Sequence, residues 1–316
     1  MTLKALTILI ALINPLACWT SLGQDSSIIT AEANTASLME KIEVQPHKLP
    51  VTQGYVQPVS QPDFLPIRDW SIKEPDINLK AGLVYDSYHD KVLWQKNDVD
   101  KLPIASLTKL MTAVIVVENM KLDRIVEITE EAYNYPGNMG DLKANERITV
   151  KNLLYALLME SSNDAAIALA QYFGEEEFIN LMNKKAQEIG LKSTNYADPS
   201  GLHPENISTA SDLVSLTKFT FEKPLIWSIL KTHNITLRSA DGQYDHHLQN
   251  NNKLLNRLAG VVGGKTGYTE EAGGCMMTAV KNPVGQGYLI TIVLGAEDRM
   301  VAIEELILWT KKAYLW

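Results

Sequence analysis

The sequence predicts a protein of the mixed α/β (α+β) class, an antiparallel sheet flanked by helices with an all-helical lobe beside it. Three observations predict this class. Runs with strand character, at 79–84 and 92–95, open the folded region, and three more, at 260–266, 275–280 and 288–294, follow near its end. Between the two groups lies a block of segments with helical periodicity. A last helix-periodic stretch, 301–314, follows the final strand run. Strands at both ends with helices between them fit one sheet built from two parts of the chain, with the helical block forming a second lobe.

In chain order, the first segment reads as an export signal spanning 1–23. Lys4 supplies the positive start, and an apolar run from Ala5 to Ala17 is interrupted mainly by Asn14 and Pro15. Ser21, Leu22 and Gly23 form a small-residue exit. The run is short for a membrane span. Lipid attachment at Cys18 and an uncleaved anchor are the alternatives, and each leaves membrane association through the N-terminus open. Residues 24–66, rich in Ser, Thr, Gln and Pro, read as a flexible linker. The folded domain is expected over 67–316, with a sheet lobe from 67–130 and 232–316 and a helical lobe at about 131–231. The turn-prone residues 86–90 join the first two strands. A helix is predicted from Ser106 to Asn119, apolar nearly all round and therefore buried. Further helices are predicted at 150–160, 165–173, 178–189 and 212–221, the last preceded by small polar capping residues.

Composition narrows the function classes. The 316 residues carry a net charge of −8, which leaves no basic footprint for nucleic acid. The two cysteines, Cys18 and Cys275, cannot make a disulfide framework. Of the six histidines, His246 and His247 are adjacent and point apart on a strand or turn, and no His-x-x-x-His spacing exists. No metal site or cofactor is expected, and the histidines are expected at the surface or in a hairpin. The Gly-x-Ser-x-Gly elbow of a Ser-His-Asp hydrolase is absent as well.

Three motifs carry chemistry. In Ser106-Leu107-Thr108-Lys109, serine and lysine lie three residues apart and share a helix face. A helix start favours developing negative charge, and burial lowers a lysine's pKa until it can take a proton from the serine. The tetrapeptide alone identifies nothing, since Ser215-Leu216-Thr217-Lys218 repeats it and Ser228 with Lys231 fits the same spacing. Context separates the copies: Ser106 opens a buried helix after a proline-marked loop, whereas Ser215 falls inside a helix already begun. The second motif, Ser161-Ser162-Asn163, sits in a break between helical stretches, where Asn163 could also serve as a plain helix cap. The third runs from Gly263 to Thr269 and places Lys265 and Thr266 among glycines on a strand. Glycines there mark close approach of a ligand, and a lysine with a hydroxyl suits a carboxylate-bearing substrate lying alongside as an added strand.

The ordered set Ser-x-x-Lys, Ser-x-Asn, Lys-Thr-Gly resembles that of the penicillin-recognising serine enzymes. The segments 104–113, 160–166, 198–202, 206–212 and 264–269 resemble the low-molecular-mass D-alanyl-D-alanine peptidases, over about 79–314 in all. The resemblance implies the penicillin-recognising serine-hydrolase fold and a D-Ala-D-Ala carboxypeptidase acting on peptidoglycan stem peptides, with β-lactam antibiotics as covalent inhibitors. It implies Ser106 as nucleophile, Lys109 as general base, Ser161 as proton relay and Asn163 as holder of the substrate amide. Lys265 and Thr266 would bind the terminal carboxylate, with Arg299 near it, while the Ser106 and Tyr268 N–H groups beside Gly267 would form the oxyanion hole. The stretches 224–226 and 271–275 look more like the cross-link-cleaving endopeptidases, which is the main alternative. A β-lactamase would need an added glutamate, and Glu176 follows Asn163 too closely to be one. A non-catalytic wall-binding module of the same fold would not need Ser106, Lys109, Ser161 and Lys265 intact.

Overall fold

A computed structural model describes residues 65–137 and 141–316; the expected export signal and all but the end of the expected linker lie outside the described residues. Ala81–Asp86 (β1) is buried along its whole length because it is an interior strand, bonded on one side to Lys91–Lys96 (β2) and on the other to a strand from the far end of the chain. In β2 only Leu93 and Trp94 are buried, as suits the edge it forms. Helix α1, Lys109–Asn119, follows a 3₁₀ turn at Ala105–Thr108. The helical lobe comprises α2 (Val150–Tyr155), α3 (Asn163–Gln171), α4 (Glu175–Glu188), α5 (Ala210–Thr220) and α6 (Pro224–Lys231). A hairpin of β3 (Asn234–Arg238) and β4 (Asp245–Gln249) leads back to the sheet. Its last three strands are β5 (Val261–Thr269), β6 (Gly273–Lys281) and β7 (Tyr288–Ala296), and α7 (Arg299–Ala313) covers it.

The sheet order is β5-β6-β7-β1-β2, antiparallel throughout. Successive side chains on β6 go to opposite faces, so it feeds two cores. Cys275 and Met277 join α1 and the helical lobe, while Met276 and Val280 join Ile303, Leu306 and Ile307 of α7. Every residue of α1 from Lys109 to Val116 is buried, because the helix lies between the sheet and the lobe and packs on α3, α4 and α5. Strand β5 is an edge strand of the sheet. It packs beside the 3₁₀ turn of Ser106 and beside α6, so its outer margin faces the cleft between sheet and lobe.

Several elements depart from the expectations. Ser106 lies in the 3₁₀ turn rather than in the α-helix itself, which begins at Lys109. The helix expected over 150–160 is α-helical only to Tyr155 and widens to a π-helix over Ala156–Glu160, the type of irregularity that often marks function. Helix α6 was not expected; Pro224 starts it at a position where a missing N–H costs nothing. His246 is buried in the β3–β4 hairpin, its Nε2 2.6 Å from Glu146 Oε1, whereas His247 is exposed. Among the described residues no helix is long and apolar enough to cross a membrane, and no group of three or more His, Cys, Asp or Glu could hold a metal ion.

Candidate active site

The turn carrying Ser106 is held from two sides. Ala105 has φ +47°, a left-handed conformation that a non-glycine residue adopts only when its surroundings enforce it. Gly201, at φ +87°, presses against its carbonyl: a Cβ there would stand 2.1 Å from Ala105 O. On the other side Gly267 of β5 lies so close that a Cβ would stand 2.9 Å from Ser106 N. Ser106 itself is partly accessible.

Lys109 follows one turn later, and its Nζ donates to Ser106 Oγ at 3.0 Å, to Asn163 Oδ1 at 2.7 Å and to the Ser200 carbonyl at 2.5 Å. Burial pushes its pKa down to about 7, against the pull of the Asp198 and Asp164 carboxylates. Near neutral pH a large share of this lysine is therefore a free amine in contact with a hydroxyl, which is a base beside a nucleophile. Burial also raises Asp164 to about 6, and its Oδ1 has no partner.

Ser161 ends the π-helix in a left-handed conformation, φ 67° and ψ 32°. Its Oγ accepts from Lys265 Nζ at 2.8 Å, and the same ammonium donates to the Thr266 carbonyl at 2.8 Å. Lys265 is 1% exposed, and burial, followed by the nearby Lys109 and Arg299 charges, holds its pKa well below the ordinary lysine value. A carboxylate arriving here would supply the counter-charge this amine lacks. Ser162, not Asn163, caps α3, its Oγ accepting from Ala165 N at 3.0 Å. Asn163 is thereby free to reach across the cleft. Its Oδ1 accepts from Lys109, and its Nδ2 donates to the Pro136 and Gly137 carbonyls at 3.0 and 2.9 Å. In this geometry Asn163 holds the base, with both amide donors committed to the protein.

The structure thus gathers Ser106, Lys109, Ser161, Asn163, Lys265, Thr266 and Gly267 around one cleft. Tyr268 stands on the same strand and is 60% exposed. Arg299 begins α7 against the start of β6, its Cβ 3.3 Å from where a Cβ on Gly274 would be, and its Nε is buried without a partner. The rival copies lie elsewhere: Ser215 is exposed and bonds back to the Ser211 carbonyl, while Lys218 is taken by Tyr85 and Asp90. Ser228 and Lys231 are exposed.

Beneath the motifs lies a scaffold that they do not mark. Asp198 Oδ1 accepts from Ser200 N, Ser200 Oγ and Gly201 N, and its Oδ2 accepts from His203 N, which shapes the loop that offers Lys109 the Ser200 carbonyl. The Asp198-Pro199-Ser200-Gly201 run was its visible signal. The carbonyls of Pro136 and Gly137 had none, because a backbone acceptor carries no sequence mark.

Comparison with known proteins agrees with this geometry. A family profile described as D-alanyl-D-alanine carboxypeptidase (Peptidase S11) matches residues 69–298. D-alanyl-D-alanine carboxypeptidase DacF of Bacillus subtilis is 35% identical over 226 residues, 69% of this chain and 57% of that protein. The chain thus spans little more than half of that relative. A D-alanyl-D-alanine endopeptidase of Pseudomonas aeruginosa is 35% identical over 65% of this chain and 68% of its own length. Among solved structures, the Streptomyces K15 DD-transpeptidase superposes with a TM-score of 0.71 at 26% identity, covering 76% of this chain and 99% of its own. With the profile spanning most of the described residues and solved structures of similar fold, this chain belongs to the D-alanyl-D-alanine carboxypeptidase family of serine peptidases.

Proposed function

We propose that the protein is an exported serine-type D-Ala-D-Ala carboxypeptidase that removes the terminal D-alanine from peptidoglycan stem peptides. The observation that carries this reading is Lys109 Nζ, 3.0 Å from Ser106 Oγ, with its pKa brought down to about 7. The substrate lies along the outer margin of β5, its carboxylate at Lys265 and Thr266 with Arg299 nearby. Ser106 Oγ attacks the carbonyl carbon of the penultimate D-alanine while its proton passes to Lys109 Nζ. The N–H groups of Ser106 and Tyr268 hold the oxyanion, a contribution of about 3 kcal/mol per donor. Collapse breaks the C–N bond, and the departing amine of the terminal D-alanine takes a proton delivered through Ser161. Water then hydrolyses the Ser106 ester. A β-lactam carbonyl enters the same attack, which makes these antibiotics covalent inhibitors. The apolar run near the N-terminus supports export and attachment at the outer face of the cell membrane.

A second reading is cleavage of D-Ala–diaminopimelate cross-links. Three relatives named D-alanyl-D-alanine endopeptidase, at 35%, 32% and 36% identity, favour it. Mass spectrometry of muropeptides after incubation with the purified protein separates the two. Pentapeptide monomers that lose one alanine support the carboxypeptidase, and dimers that become monomers support the endopeptidase. No change in either pool overturns both.

A further inference from the structure

We infer that Asn251, outside all three motifs, is a positioning residue for Ser161 and acts through the peptide bond that precedes it. The inference rests on the proposed role of Ser161 in proton transfer.

Ser161 has two features that need support. Its left-handed backbone is one that a non-glycine residue holds only where the surroundings fix it. It also terminates a helix, where the last carbonyls lack intrahelical partners. Part of the end is closed from within, since the N–H groups of Ser161 and Ser162 both reach the Ala156 carbonyl, the latter at 3.0 Å. The last two carbonyls of the π-helix, those of Met159 and Glu160, are closed from outside by one segment. The backbone N–H of Asn251 donates to the Met159 carbonyl at 2.9 Å, and its side-chain Nδ2 donates to the Glu160 carbonyl at 2.8 Å. The Glu160 side chain completes the clasp, its Oε1 accepting from Gln249 N at 2.8 Å.

The Glu160 carbonyl belongs to the same planar peptide unit as the Ser161 nitrogen. Fixing that oxygen fixes the plane about which the Ser161 φ is measured, and so the direction of its Cα–Cβ bond. The Oγ at the end of that bond must stay within reach of Lys265 Nζ, now 2.8 Å away, and of the departing amine. The clasp is itself anchored. Asn250 N donates to the His233 carbonyl, and Asn250 Nδ2 donates to the Leu230 and Thr232 carbonyls, which ties the segment to the end of α6. The segment that follows the hairpin therefore helps to set one wall of the cleft, with the Asn251 side-chain amide holding the peptide unit next to Ser161.

The test is a double-mutant cycle read by the rate of Ser106 acylation with a fluorescent penicillin. Asn251→Ala leaves the Glu160 carbonyl without its donor, and its acylation rate is expected to fall about tenfold, as a small misplacement of a reacting group does. In a Ser161→Ala background the same change should cost little more, because the group it positions is gone. Equal losses in both backgrounds would make Asn251 merely structural and overturn the inference, as would a wild-type rate in folded Asn251→Ala. Asn256→Ala, an exposed neighbour, is the control expected to match wild type. If Asn251→Ala does not fold, Asn251→Asp keeps the shape and sets an acceptor against the carbonyl; the same cycle and the same outcomes then apply. Absence of labelling in the wild-type protein would instead count against Ser106 as nucleophile, a failure distinct from this one.

Discussion

In the proposed mechanism Lys109 acts as the base because of what burial removes from it. An exposed lysine stays protonated at neutral pH, whereas here loss of water brings its pKa down to about 7. Below that value the amine is an ammonium and cannot accept the Ser106 proton; above it the amine is free. The acylation rate is therefore expected to rise with pH through about 7 and level off above. A stopped-flow profile that is flat across this range would contradict Lys109 as the base. The two Ser-Leu-Thr-Lys copies give a matched pair of variants. Ser106→Ala should lose penicillin labelling altogether. Ser215→Ala, which removes an exposed hydroxyl bonded only to its own helix, should keep it. Equal effects on a labelled gel would show that the wrong serine had been chosen. The discriminating feature was partly legible in the sequence, since a buried helix following a proline loop differs from the middle of an amphipathic one.

At the scale of elements, β5 is both a sheet edge and a wall of the cleft. Gly267 lies close to the Ser106 turn, and its backbone is not in the left-handed region, so alanine is permitted there locally. The obstacle is space: the added methyl would meet Ser106 N at 2.9 Å and Ala105 Cβ at 3.2 Å. Gly267→Ala should push the strand and the nucleophile turn apart. A fall of about a hundredfold in acylation rate is expected, with a far smaller proportional change in thermal stability. Unchanged acylation kinetics would mean that the turn does not depend on this contact. The sequence marked this strand clearly, because glycines weaken a strand interior unless another backbone or a ligand must come close to it. It did not mark the π-helix before Ser161. Residues 156–160 have the apolar character of an ordinary helix, and the bonds that close its end come from the Ser161 N–H to the Ala156 carbonyl and from Asn251, some ninety residues later. Long-range capping of that type leaves no local pattern.

Across the whole molecule, the class was legible because the interior strands and the edge strand β2 carry patterns that match their places, while β5 is an edge strand buried by its neighbours. Ala81–Asp86 and Tyr288–Ala296 are apolar runs in the interior of the sheet, and β2 shows the mixed pattern of an edge. Element limits slipped where tertiary contacts decided them. Strand β5 continues to Thr269 because β6 pairs with it all the way to Gly273. Helix α6 was not foreseen although Pro224 at its start is itself a helix-start signal; it is short, and Trp227 and Leu230 pack it against Gly263. The site was legible in its reactive groups and not in the carbonyls of Pro136, Gly137, Glu160 and Ser200 that hold them, because every residue type carries the same carbonyl.

The pairing of β1 with β7 also has a bearing on time. Asp86 meets Leu289, 203 positions later (289 − 86), and Ile67 meets Leu315 beyond that. An N-terminal strand that emerges first from a ribosome or an export channel has no sheet partner on that side until nearly the whole chain has followed it. The helical lobe, built from contacts closer in sequence, can form meanwhile. Assembly of the sheet, and with it the seating of β5 against Ser106, is thus tied to the arrival of the last strands. A chain interrupted before β7 would hold Ser106 and Lys109 but no seated substrate edge, so reactivity toward penicillin would appear only on completion of the chain.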